Sequence, residues 1–270
     1  MKRLLIILTS LFIIHYSLFI TQGIAQEFDF NRSYQDYLYT YGLYHTAHKD
    51  YISARSAYLT YKTLTAKTEA MSKTLKMLQL RDEVVRTYLT ALRLKLAETT
   101  GISDYEQTVL YLKLDDEVSW YIIHRDELPS AGTLEDLVKS SNKAQGQYGL
   151  SEVLAYQTLG TILAGKETTL RERLKEEINK INDKIAEIRQ RGDKETAMLE
   201  RWILEAENKL TRSQEKQFEA QQKLAKLRSS ERNKMKKHNQ ARSLFRESHQ
   251  YLKEANSYLK EIIREVKLAD

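Results

Sequence analysis

The 270-residue chain has no cysteine, so it can form no disulfide, no thiolate metal site and no lipid-modified cysteine. One proline, Pro129, and nine glycines are too few to punctuate the turns of a β-rich fold. Hydrophobic residues make up 41% of the chain and charged residues 30%, which is little apolar material for a compact globule of this length. The balance suits long helices that each bury a narrow stripe. After residue 20, no stretch is apolar enough to span a bilayer.

What is present begins with a leader. Met1-Lys2-Arg3 is basic, Leu4 to Ile20 is nearly all apolar, and Gly23 and Ala25 are small. That three-part layout predicts a secretory signal cleaved after Ala25, and so an extracytoplasmic protein, periplasmic, secreted or at the cell surface. The competing reading is an uncleaved membrane anchor. Seventeen residues reach about 25 Å as a helix, short of the usual hydrocarbon core.

The remainder reads as all-α, an elongated bundle of long, coiled-coil-like antiparallel helices. The sequence divides into 1–25 as signal, 26–128 as an N-terminal arm plus one apolar helix, 129–165 as a bend or head, and 166–270 as a C-terminal arm. Asn31 or Ser33 is expected to cap the first helix. From Tyr34 to Thr99 the one breaker is Gly42, so a single helix is expected. Leu64, Met71, Leu78, Val85 and Leu92 recur every seven residues, a coiled-coil seam that Asp82 interrupts. Gly101 suits a helix end, and Ser103 with Glu106 forms a capping box opening an apolar helix that stops at Pro129.

Residues 129–165 hold five of the nine glycines, which predicts two or three shorter helices with breaks near Gly146 and Gly149. From Lys166 onward only Gly192 interrupts. Ile178, Ile181, Ile185 and Ile188 form one seam, and Phe245, Leu252, Leu259 and Val266 another. Between them the seam looks thin, with Phe218, Leu224, Leu227 and Met235 only. Such a gap invites another helix, hence self-association.

Several residues have the types that carry chemistry. Gly160 through Lys166 has the glycine and lysine spacing of a phosphate-binding loop, but Glu167 stands where a hydroxyl should hold Mg²⁺. His45 and His48 share a helix face without a third metal donor. His124 lies four residues after Trp120 and seven after Glu117, which fits a structural Trp–His contact better than acid–base work. No catalytic residue, cofactor or metal site is therefore expected, nor a small-molecule substrate.

Two surfaces stand out. Tyr34, Tyr37, Tyr41, Tyr44, Tyr51 and Tyr58 line one face of the first helix, either as a half-wet seam against the C-terminal arm or as a face for a partner. Residues 211–246 carry eleven basic residues against three acidic ones. Within this belt Arg228, Arg232, Lys234, Lys236, Lys237, Arg242 and Arg246 are candidates for holding an anionic envelope polymer or lipid, with nucleic acid the least favoured ligand for an exported protein. The functional expectation is a non-enzymatic exported scaffold or protein-binding rod at the cell envelope. The alternatives are an ATP-independent holdase chaperone and a polyanion-tethering module.

Overall fold

The computed structural model describes residues 29–192 and 195–267. The predicted signal at 1–25 lies outside them. Among the described residues there are six α-helices and no strand, arranged as an elongated bundle: α1 Phe30–Tyr61, α2 Leu64–Ala97, α3 Asp104–Glu127, α4 Leu134–Arg191, α5 Ala197–Ala225 and α6 Lys234–Lys267. No helix of these residues is long and apolar enough to cross a membrane.

The single helix expected over 31–99 is instead a hairpin. Lys62 takes a left-handed conformation at φ 51°, its N–H closes on the Tyr58 carbonyl, and Thr63 caps α2 by accepting from the Ala66 N–H. Because lysine rather than glycine fills the left-handed position, no breaker is visible in the sequence. Asp29, not Asn31 or Ser33, caps α1, accepting from the Arg32 N–H at 2.7 Å. The hairpin is tied at its open end, where the Phe30 N–H donates to Glu98 and the Lys95 ammonium lies over the Phe30 ring.

α2 then turns at Gly101, φ +76°, into α3, which Ser103 caps as expected. The Glu106 carboxylate does not close the capping box and instead accepts from the Thr161 hydroxyl on α4. Leu89, Leu92 and Leu96 of α2 pack with Leu110, Leu114 and Tyr121 of α3 and Leu154, Ala155 and Ile162 of α4.

The expected bend at 129–165 is the largest departure. α4 runs unbroken for 58 residues, about 87 Å, through Gly146, Gly149, Gly160 and Gly165. Two of these glycines serve packing rather than breakage. A Cβ at Gly160 would stand 2.2 Å from the Leu224 side chain, and one at Gly165 would stand 2.7 Å from the Thr100 carbonyl. The middle of α4 is squeezed from two sides. Leu154, Ala155 and Ile162 face α2 and α3, while Val153 and Ala164 meet Leu224 of α5 and Phe245 of α6.

The expected C-terminal arm is also folded, at Gly192 and again at residues 226–233, so that α4, α5 and α6 form a three-helix coil. Its seams alternate by four and three. On α5 they run Leu199, Ile203, Ala206, Leu210, Ser213, Gln217, Ala220 and Leu224, and on α6 Ala241, Phe245, Ser248, Leu252, Ala255, Leu259 and Ile262; all these residues are buried. Phe218 and Met235, read as seam residues, are 60% and 64% exposed. The apparent thin seam is thus a layer of small and polar side chains already closed by α4 and α6.

Candidate interaction surfaces

Each half of the molecule contains a buried polar tie between helices. In the N-terminal half, Asp82 of α2 faces His124 of α3 at 2.5 Å through Nδ1, and the His124 Nε2 lies 3.1 Å from the Ser140 carbonyl of α4. Both residues are buried, and Trp120 stacks on the imidazole at 4.8 Å. Both ring nitrogens face an acceptor oxygen, so the ring holds three helices together and has no nitrogen open to a substrate. The expected Trp–His contact is present. Glu117 is not part of it and accepts instead from Ser151 and Gln147.

In the C-terminal half, Glu167 and Arg171 of α4 meet Ser213 and Gln217 of α5 and Ser248 of α6. Ser248 donates to Glu167 at 2.6 Å, and Arg171 donates to Gln217 at 2.6 Å and to Ser213 at 3.2 Å. Burial pushes the Glu167 carboxyl up to about 7, against the opposing pull of the Ser248 hydroxyl and the Arg171 charge. Burial likewise lowers Arg171. The phosphate-loop spacing at 160–166 therefore falls in the interior of a helix. Glu167, the residue that breaks that motif, belongs to the polar layer.

The tyrosine stripe faces α2, not the C-terminal arm. Thr40, Ala47 and Ala54 are the buried contact line, and Tyr37, Tyr44, Tyr51 and Tyr58 are half-buried beside it. Tyr37 meets Tyr88 of α2 at 5.3 Å. Burial, and then the neighbouring phenols, raise both hydroxyls above their ordinary value. Tyr34 and Tyr41 lie further round and are exposed.

These two belong to a second seam that the sequence reading missed. Positions 34, 38, 41, 45, 48, 52, 55 and 59 alternate by four and three, about 100° round the helix from the inner line. Tyr34, Leu38, Tyr41, Ile52 and Leu59 on this seam are between 38% and 52% exposed. The signal was available, since each apolar residue sits one position after an inner-line residue, but the tyrosines drew attention to the first line. His45 and His48 lie on this seam, each against a tyrosine ring. A groove of about 310 Å³ lies between α1 and α4, floored by α2 and lined by Tyr44 of the inner line with Val84, Val85, Tyr121, Gln145 and Tyr148.

The basic belt is divided by the fold. Lys234 is spent internally, pairing with Glu152 at 3.2 Å and donating to the carbonyls of Ser229 and Glu231. Lys237 pairs with Glu231. Arg228 lies in the α5–α6 connection, while Arg232 and Lys236 are exposed around the start of α6. Arg242 and Arg246 lie one turn apart on the exposed side of α6. Compared with known proteins, the chain matches no family model, no curated protein and no solved structure.

Proposed function

We propose that the protein is a non-enzymatic, exported scaffold of the cell envelope that binds an amphipathic helix of a partner protein in the α1–α4 groove. The observation that carries this reading is the second seam of α1. A helix with two adjacent apolar lines is built to touch two other helices, and among the described residues α2 is the one extensive neighbour that α1 has. Leu38, Tyr41, Ile52 and Leu59 supply anchors at steps of three, eleven and seven residues along one line of α1, with His45, His48 and Arg55 between them, and the Tyr37 and Tyr148 rings add broad surface at low entropic cost. The leader pattern supports export.

The test is site-specific photocrosslinking from α1 in the producing cell. Probes at Leu38 and Ile52 are expected to give the same discrete adduct. A probe at Tyr39, which is 71% exposed and about 100° round α1 from Leu38, off the second seam, should give none. Equal adducts from all three positions, or none from Leu38 and Ile52, would refute the reading. The adduct mass separates a second copy from another protein.

A further inference from the structure

The second surface lies where α4 and α6 run parallel, on the far side of the polar layer from α5. A groove of about 660 Å³ there has Leu170 and Phe245 as its floor, with Leu163 exposed beside them. Lys166, Arg242, Arg246 and Lys253 line it, all four exposed. Among the described residues, none of these four has a carboxylate within ion-pair distance. This is not the habit of α6 elsewhere. Across its contact with α5, Lys209 pairs with Glu254 at 2.7 Å and Lys216 lies near Glu247 and Glu219. The one carboxylate of the groove, Glu167, is buried and turned to the Ser248 hydroxyl. The groove therefore carries uncompensated positive charge that the fold neutralises on the neighbouring face.

The arrangement of that charge selects a ligand. Arg242, Arg246, His249 and Lys253 follow one line of α6 at four-, three- and four-residue steps, about 16 Å long. A single small anion needs converging donors, and these are strung out. A flat membrane surface needs several apolar side chains standing proud beside the charges, whereas here Phe245 is buried, Leu170 is half-buried and Leu163 alone of the three is exposed. Arginine forks match the paired oxygens of phosphate as they do those of carboxylate, and each phosphate of a linear chain offers such a pair. We infer that the α4–α6 groove is a binding site for a linear, phosphate-bearing polyanion, held by Lys166, Arg242, Arg246 and Lys253. The site does not depend on the α1 groove, and it moves anion binding away from Lys234 and Lys237, which are internally paired.

The probe is fluorescently labelled inorganic polyphosphate, followed by anisotropy across a salt series. Four cations on a flexible chain predict a slope of log affinity against log salt of about −3. The R242E/R246E variant should weaken binding at least about tenfold, and R242Q/R246Q should weaken it by less. The charge-matched R232E/K236E variant, outside the groove, should stay within about twofold of the parent. Equal loss in the two Glu variants would show unspecific charge attraction and overturn the site. Competition by orthophosphate at equal total phosphate would overturn the linear ligand. Binding to anionic phosphatidylglycerol vesicles without binding to polyphosphate would overturn the ligand class.

Discussion

A single methyl group has opposite consequences at two glycines of α4. At Gly146 no atom lies within 4 Å of where a Cβ would stand, so the glycine contributes only backbone freedom to the unfolded chain. Gly146→Ala should raise stability by about 0.5–1 kcal/mol. At Gly165 the same Cβ would meet Ile102 at 2.6 Å and the Thr100 carbonyl at 2.7 Å. Gly165→Ala should cost about 1–3 kcal/mol through overpacking. Urea midpoints of the two variants check the sign at each site; equal shifts would mean that the α2–α3 turn does not rest on α4. Sequence spacing exposed the tyrosine line and the Trp120–His124 contact because both are local. It could not expose Asp82 as the partner of His124, since 42 residues separate them and a carboxylate in a leucine seam reads as an interruption.

Polar side chains at seam positions decide how elements pair. Along α4 the buried line runs Glu167, Arg171, Leu174, Ile178, Ile181, Ile185 and Ile188, with two charged residues in registers that apolar ones fill elsewhere. Their partners Ser213, Gln217 and Ser248 occupy the matching seam positions of α5 and α6. Sliding any helix by one heptad would bury these groups against leucine and isoleucine, so the layer fixes register.

The layer also makes stability depend on pH. The Glu167 carboxyl is held near 7 in the fold, above its ordinary 4.5, so the folded chain keeps a proton that the unfolded chain releases. The stabilisation is complete below pH 4.5 and is lost as pH rises through 7, about 3 kcal/mol in all for a shift of this size. Urea midpoints at pH 5 and pH 8 should fall for the parent and change much less for Glu167→Gln. Parallel falls in both would place the pH dependence elsewhere. Helix existence and seam phase were legible in the sequence at this scale. The breaks were not, because Lys62 carries a left-handed turn without glycine, and because small and polar seam residues at 213–220 resemble a gap.

At the scale of the whole molecule, α4 belongs to both bundles. Its first half completes the packing of α2 and α3, its second half completes the coil with α5 and α6, and its middle is buried by both. The α1 groove and the α6 groove thus stand on one rod, with Tyr148 and Lys166 about 27 Å apart along it. With both proposed ligands bound, a partner helix and a polyanion would be held at a fixed separation along α4. The all-α class and the long elements follow from composition and heptad phase. The topology did not, because the glycines of 129–165 are as consistent with tight packing as with a bend, and only the residues opposite them decide.

The most direct test is therefore the length of α4. The chain lacks cysteine, so spin labels can be placed cleanly at Lys139→Cys and Lys180→Cys, two strongly exposed positions on that helix. An unbroken helix places them about 60 Å apart, and pulsed electron–electron resonance should return one narrow distribution there. A broad distribution, or one centred at or below about 50 Å as a right-angle bend at Gly146 or Gly149 would give, would contradict the shared-rod architecture.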